Sequence, residues 1–305
     1  MNTLMIIFLI INAYGMLGGF KCKTKHLGRM GKQSRLHKRF EDISLASRYF
    51  DDTDGTSVTD IFNALKNEVS RDYFSSSGNS IQIPITWIEM ESRDNTNRRL
   101  NSIIRLNWLF YNNNLPISFK LQDIKLINLQ TIDADDLDTQ NQLFNQFKQD
   151  DRFSLPIFVV DAPSAFNGTE GWTVLPHDFN VVDYADAIFI NDNQIDSTSQ
   201  HLSGVLAHEI GHWLGLYHVF EGGCEEGNGD WCHDTPKMAS METSKVALNR
   251  YYADQPVESC PNDSKEDILE NVMDYGIKKK LYTKEQQLRI MNFVYYRFTN
   301  KFIDS

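Results

Sequence analysis

The sequence predicts an α/β (α+β) fold, in which strands and helices alternate before a loop-rich C-terminal part. Short alternating or β-branched stretches, typical of strands, recur between residues 80 and 190. Amphipathic helical patterns separate them. The chain has 305 residues, of which 41% are hydrophobic and 12% aromatic, so it can bury one sizeable core and is not intrinsically disordered. We therefore expect one globular domain preceded by processed segments.

The first 19 residues have the pattern of a secretory signal peptide. The apolar run Leu4–Ile11 is followed by small residues, and it is too short to span a bilayer. No Lys or Arg lies near the start, so an ordinary buried N-terminal helix is the alternative. We expect a secreted, extracellular protein without stable membrane insertion.

Residues 20–79 are predicted to form a pro-segment and N-terminal region. Residues 1–40 contain 8 Lys and Arg and no acid, which leaves 22 basic and 41 acidic residues for the rest of the chain. A cationic leader can dock on an acidic domain by charge, and Lys38-Arg39 is a candidate dibasic processing site. A solvated charged tail is the alternative. The acidic balance argues against nucleic-acid binding, and we expect a monomer.

The elements around the site are predicted from periodicity. The loop Ser75–Asn79 is taken as the join to a catalytic domain over residues 80–305. Strands are predicted at Ser80–Met90, Ile117–Leu129, Pro156–Val160, Gly171–Pro176 and Ala187–Ile190, and helices at Asp60–Val69, Asn95–Tyr111 and Lys284–Phe298. Asp133–Asp151 is expected to be a helical or irregular connection. Pro176 marks Gly171–Pro176 as an edge strand.

Two helices carry more specific expectations. In Asn95–Tyr111, the apolar residues at helical spacing predict the face that covers the sheet: Leu100, Ile103, Ile104 and Trp108. Thr283 and Gln286 form a capping box for the last helix, Lys284–Phe298.

The run His208–His218 reads H-E-x-x-H-x-x-G-x-x-H. On a helix, His208 and His212 share a face and can bind one metal ion, while Glu209 can reach a water on that ion. Gly215 lets the backbone leave the helix in a left-handed conformation, so that His218 arrives as a third ligand. Three imidazoles with an open fourth position describe a catalytic zinc site. A helix with two chance histidines would explain the first five positions but not the longer run.

A methionine turn is predicted at Asn271–Tyr275, about 55 residues after His218. The two motifs together resemble the metzincin pattern. Met273 would form a hydrophobic floor beneath the imidazoles. The Tyr275 hydroxyl could stabilise an oxyanion, although a buried tyrosine with a satisfied hydroxyl is the alternative.

Further motifs resemble the pappalysin family of metzincins over roughly residues 80–298. They are Gly171–Phe179, His208–Cys224, Gly229–Pro236, Ser259–Pro261 and Asn271–Tyr275. The resemblance implies a secreted zinc endopeptidase of metzincin-type fold. Such a fold has a twisted five-stranded sheet with covering helices in an upper subdomain, a zinc helix, and an irregular lower subdomain with a Met-turn and a C-terminal helix. It also implies that His208, His212 and His218 are zinc ligands and that Glu209 is the general base.

The resemblance extends to the cysteines. It implies a Cys224–Cys260 disulfide, although Cys232 could pair with either of them instead of remaining a free buried thiol. The family's second lower-subdomain bridge has no cysteine here in Gly276–Tyr282. Cys22 resembles the pro-segment cysteine that caps the zinc of the latent enzyme, but Lys23 replaces the family's glycine.

Relatives also bind calcium after the third histidine, where Asp230, Asp234 and Thr235 offer oxygen ligands. A surface acidic loop is the alternative. The expected reaction is hydrolysis of protein or peptide substrates. One alternative function is that of a catalytically silent, secreted, zinc-containing binding protein. Another is that of a zinc aminopeptidase with a glutamate as third ligand, which is disfavoured because His218 stands where a metzincin has its third histidine.

Overall fold

The computed structural model describes the parts of the chain that surround the predicted zinc helix. These are residues 21–22, 56–90, 96–128, 132, 136–147, 153–162, 169–173, 175, 186–192, 198–224, 229–239, 257–260, 265–276 and 278–299. The signal-peptide prediction and the Lys38-Arg39 processing site lie outside the described residues.

In the part of the chain that the structure describes, six strands and five α-helices position the site. The strands are β1 (Lys21–Cys22), β2 (Ile81–Met90), β3 (Ile117–Ile127), β4 (Leu155–Val160), β5 (Thr169–Thr173) and β6 (Ile188–Asn191). The helices are α1 (Val58–Glu68), α2 (Thr96–Asn112), α3 (Leu137–Phe147), α4 (Ser199–Trp213) and α5 (Lys284–Thr299). The predicted strands and helices between residues 57 and 299 are confirmed as to type, with ends that differ by up to three residues. Within Asp133–Asp151, where a helical or irregular connection was expected, α3 is a helix.

The strands form one mixed sheet in the order β1-β5-β6-β4-β2-β3. All neighbours are parallel except β5 and β6, which are antiparallel. Strands β2 to β6 are the five strands predicted, and β1 adds a sixth beside β5. The prediction that Gly171–Pro176 is an edge strand was wrong, because β5 pairs with β1 on one side and with β6 on the other. All six residues of β4 are buried, since this strand lies inside the sheet with both faces covered.

The prediction for α2 was right about the helix and partly wrong about its face. Ile103 is buried, but Leu100, Ile104 and Trp108 are 43%, 65% and 67% exposed. The buried face instead carries Arg99, Ser102, Ile103, Leu106, Leu109 and Phe110. Both faces of α2 are apolar in part, and buried polar contacts fix the rotation. Arg99 pairs with Glu89 of β2, and the Ser102 hydroxyl donates to Ser199 O at the start of α4.

Helix α1 lies in the same hydrophobic core as the zinc helix. Its N-terminus is closed by a capping box between Ser57 and Asp60. Ile61 and Leu65 are fully buried, and Glu68 accepts a hydrogen bond from the Tyr295 hydroxyl of α5. The division of the chain at residue 79 remains a prediction, but this helix packs as part of the folded body.

Turns and bends make up the described residues between α4 and α5, apart from an isolated bridge between Asn271 and Leu281. The capping box of α5 is formed as predicted: Thr283 N donates to Gln286 Oε1 and Gln286 N to Thr283 Oγ1, at 3.0 and 3.3 Å. Within the described ranges, no helix has the length and apolar character needed to cross a membrane.

Candidate metal centre

Helix α4 carries two of the three predicted ligands into the core. Thr198 begins the helix by accepting a hydrogen bond from His201 N at 3.2 Å. His208, Glu209 and His212 are fully buried. Polar groups at this depth are costly unless they have partners or hold an ion, so the helix sequence indicates a functional interior.

Gly215 ends the helix as predicted. Its φ is +86°, in the left-handed region, and a Cβ there would lie 2.1 Å from Phe293 Cε2. Glycine is therefore required both by the backbone conformation and by the approach of α5. The turn brings Leu216 O within 2.8 Å of His212 Nδ1 and carries His218 to the site.

Three imidazole nitrogens meet at one point. His212 Nε2 lies 3.2 Å from His208 Nε2 and 3.1 Å from His218 Nε2. The Nδ1 atoms of His208 and His212 face the carbonyls of Val272 and Leu216, at 2.7 and 2.8 Å. If these Nδ1 atoms carry the protons, the Nε2 lone pairs of both rings face the meeting point, where a cation relieves their repulsion.

These spacings fit zinc. Two nitrogens about 2.05 Å from a tetrahedral ion stand roughly 3.3 Å apart, close to the distances found. Among the described residues, His208, His212 and His218 are the group of metal-ligating side chains close enough to hold one ion. Burial, then the charge of Lys279, then the two other imidazoles lower the pKa of His208 well below its usual value. The ring is therefore neutral, as a metal ligand must be.

Glu209 lies between the helix and strand β5. A Cβ at position 171 would be 3.0 Å from Glu209 Cγ and Oε1, so Gly171 leaves the room that the carboxylate occupies. On the other side of β5, the backbone of Cys22 is in register with Gly171. The sheet thus brings the backbone of the predicted pro-segment to the strand that contacts Glu209.

The predicted Met-turn packs against α4 next to His208. Asn271 holds the turn by accepting from Met273 N and donating to Gln286 Oε1, both at 2.8 Å. A Cβ at Gly211 would lie 2.3 Å from Met273 Sδ, so the methionine touches the helix at that glycine. Gly211 was not among the predicted site residues, although it directly precedes His212 in the sequence.

Aromatic rings line the third ligand. The ring of Tyr275 lies 4.9 Å from that of His218 and 5.9 Å from that of His208, and Tyr275 is 6% exposed. Phe220 stacks on His218 with centroids 4.7 Å apart. Sequence reasoning missed Phe220, and no periodic pattern marks it.

The calcium candidates lie together in the lower part. Asp230 Oδ1 accepts from Thr235 Oγ1 at 2.7 Å and from Cys232 N at 3.1 Å, while Asp230 Oδ2 is buried with no hydrogen-bond partner. Asp234 Oδ2 accepts from Glu285 N at 3.0 Å. Burial chiefly raises the pKa of Asp230 to about 7.

The cysteines follow the implied pairing. Cys224 and Cys260 form a disulfide across a sequence separation of 36. Cys232 is a buried free thiol, and burial raises its pKa well above the usual value, so it stays protonated at neutral pH.

Comparison with known proteins gives a consistent picture. The family model described as pregnancy-associated plasma protein-A (peptidase family M43) matches residues 138–295, slightly more than half of the chain. An extracellular metalloprotease of Colletotrichum graminicola is 40% identical over 99 residues, which are 32% of this chain and 32% of that protein. An extracellular metalloprotease of Podospora anserina is 41% identical over 99 residues, covering 32% of this chain and 31% of that protein. The match thus spans about a third of the length of these relatives.

Two solved structures match more loosely. Metalloproteinase-II from Bacteroides fragilis has 18% identity and a TM-score of 0.30, covering 59% of this chain and 60% of that one. A chaperone–substrate complex has 20% identity and a TM-score of 0.33, covering 48% and 26%. TM-scores this low do not establish a shared fold.

Proposed function

Since the chain belongs to the pregnancy-associated plasma protein-A family of peptidases, we propose that it is a secreted zinc-dependent endopeptidase. One observation carries the proposal: the Nε2 atoms of three buried histidines meet at one point. His212 Nε2 lies 3.2 Å from His208 Nε2 and 3.1 Å from His218 Nε2. The relatives' names as extracellular metalloproteases support both the activity and the secretion, as does the apolar run at Leu4–Ile11. Residues 80–305 are proposed as the catalytic domain.

His208, His212 and His218 would hold the zinc ion. When bound, the ion supplies Lewis acidity that activates a water and polarises the scissile carbonyl. The protein's part is to keep the imidazoles neutral and oriented. For His208, burial does the first. For His208 and His212, the backbone carbonyls that accept from Nδ1 do the second.

Glu209 is the proposed general base. Its carboxylate, next to His208 in sequence and pressed against Gly171 of β5, accepts the proton of the attacking water and passes it to the leaving amine nitrogen. Tyr275, beside His218, donates its hydroxyl proton in a hydrogen bond to the oxyanion that develops on the carbonyl oxygen. Met273 supports the imidazoles from below.

Replacing Glu209 tests this assignment. Glu209→Ala should fold and keep stoichiometric zinc but lose about 10³-fold in turnover of a mixed peptide library, because a general base contributes about 10²–10⁴-fold. Glu270→Ala, which removes a half-exposed carboxylate paired with Lys280, should leave turnover unchanged. Glu209→Ala within tenfold of wild type would refute the base, and zinc-free wild type would refute the metal site.

The alternative, a catalytically silent zinc-containing binding protein, predicts a different result in the same assay. Processed wild-type protein would then contain zinc but cleave no library peptide, with or without a chelator. Chelator-sensitive cleavage of internal peptide bonds excludes this alternative and the aminopeptidase together.

Cys22 is proposed as the zinc ligand of the latent form. The support is backbone register: Cys22 pairs with Gly171, which contacts Glu209. A thiolate there would take the place of the catalytic water on the zinc ion. Cys22→Ala should raise the peptidase activity of unprocessed protein, whereas Cys232→Ala, at the buried thiol, should not. Equal activity of unprocessed wild type and Cys22→Ala would dismiss the idea.

Calcium is proposed at Asp230, with Asp234 and Thr235 nearby. The unpartnered, buried Oδ2 of Asp230 supports this, since an unpaired buried carboxylate oxygen is costly. Its test is described with the pH dependence below.

A further inference from the structure

Lys279 reaches from the segment after the Met-turn to the back of a zinc ligand. Its Nζ lies 3.1 Å from Val272 O and 3.3 Å from His208 Nδ1 and also donates to Asp274 O. The two carbonyls flank Met273. The ammonium group therefore contacts the Met-turn on both sides of its methionine and the imidazole above it.

We propose that Lys279 is a positioning residue of the zinc site, whose ammonium group fixes the Met-turn carbonyl that orients His208. The inference rests on the proposed zinc site and adds a residue that the recognised motif does not contain. It concerns what holds the ligand in place, not the chemistry of the metal.

His208 and Lys279 share one hydrogen-bond acceptor, the carbonyl oxygen of Val272. A carbonyl oxygen has two lone pairs, and Val272 O is within reach of both His208 Nδ1, at 2.7 Å, and Lys279 Nζ, at 3.1 Å. The imidazole donates with its one N–H and the ammonium with one of three. Lys279 Nζ is near His208 Nδ1 because the two donors share an acceptor.

The position of Val272 O decides where the imidazole points. A metal-bound histidine is held in tautomer and rotation by the acceptor of its other nitrogen. Asp274 O, the second acceptor of Lys279, stops the turn from rotating about Met273. A loosened turn would let Val272 O move, and His208 Nε2 would then leave the meeting point of the three ligands.

The stem of Lys279 follows the zinc helix. A Cβ at Gly204 would lie 3.5 Å from Lys279 Cδ, so the methylenes cross α4 one turn before His208. Gly276–Tyr282 contains no cysteine, so the ammonium group and its stem form a non-covalent link between this segment and the helix.

The test compares three variants of the full-length chain. Lys279→Met keeps an unbranched stem and removes the donors. Lys279→Arg restores donors for both carbonyls. Lys280→Met is the matched control, because Lys280 is the neighbouring lysine, is exposed and pairs with Glu270. Zinc dissociation constants are measured by competition with a chromophoric chelator at one pH, and thermal unfolding is recorded on the metal-free proteins.

We expect Lys279→Met to weaken zinc binding about tenfold, the low end of what loss of a ligand-orienting partner costs. Lys279→Arg should stay within about threefold of wild type, and Lys280→Met should match wild type. Unchanged or tighter binding in Lys279→Met overturns the inference, even if unfolding occurs at a lower temperature, and so does equal weakening in Lys279→Met and Lys279→Arg. If wild type itself binds no zinc, the proposed function fails first and the inference fails with it.

Discussion

Gly215→Ala should be the most damaging single-methyl addition around the zinc helix. The residue has φ +86°, and its new Cβ would lie 2.1, 2.3 and 2.6 Å from three atoms of the Phe293 ring. A left-handed alanine costs about 1–2 kcal/mol, and forcing atoms into a packed core about 1–3 kcal/mol. The lower entropy of the unfolded alanine chain offsets about 0.4–1 kcal/mol. We expect a net loss of about 2–4 kcal/mol in the free energy of unfolding.

Gly78 provides a control that separates the cost of the left-handed backbone from the cost of the clash with Phe293. Gly78 also has a left-handed φ, +69°, but nothing lies within 4 Å of its Cβ position. Gly78→Ala should therefore cost about 1 kcal/mol or less. Urea unfolding of both variants gives the comparison, and Phe293→Leu in the Gly215→Ala background should recover part of the loss. Costs that agree within about 0.5 kcal/mol would show that contact with Phe293 does not matter.

Two other predictions concern the lower part of the molecule. The pKa of Asp230 is about 7 in the folded protein and near 3.9 unfolded, so the folded state binds the proton more tightly and stability falls as pH rises from about 4 to 7. In calcium-free urea unfolding, Asp230→Asn should equal wild type near pH 4 and exceed it at pH 8 by up to about 4 kcal/mol. Added Ca²⁺ should stabilise only the wild type at pH 8, and a pH-independent difference would contradict the buried charge. Replacing Cys224 and Cys260 together by serine should lower the free energy of unfolding by about 3–4 kcal/mol; a loss below about 1 kcal/mol would show that the bridge does not constrain the unfolded chain.

Local patterns predicted most of the secondary structure and the placement of the ligands. His208, His212 and Gly215 follow from helical spacing and from one glycine conformation, because a helix and its end are determined by nearby residues. The capping box at Thr283 is equally local. Local pattern alone therefore indicated the residues proposed as zinc ligands.

Features that depend on distant contacts were not predictable in this way. The apolar pattern of α2 fits two faces, and the choice between them depends on the Arg99–Glu89 pair and the Ser102 contact with α4. Lys279 lies in a run of three lysines, Lys278–Lys280, and only the tertiary fold distinguishes it from its exposed neighbour. Strand β1 has two residues, too few for any periodicity.

If the predicted pro-segment is removed by proteolysis, the packing of α1 limits where the chain can be cut without opening the core. An activating protease that cleaves ahead of Ser57 leaves this helix seated on α5. A cut in the Ser75–Asn79 turn that released the helix would instead remove Ile61 and Leu65, which are fully buried, from the core. The surface of α5 that they cover would become an exposed hydrophobic patch that favours aggregation. Removal of a pro-segment that ended ahead of Ser57 would therefore leave the core closed, whereas removal up to residue 79 would open it.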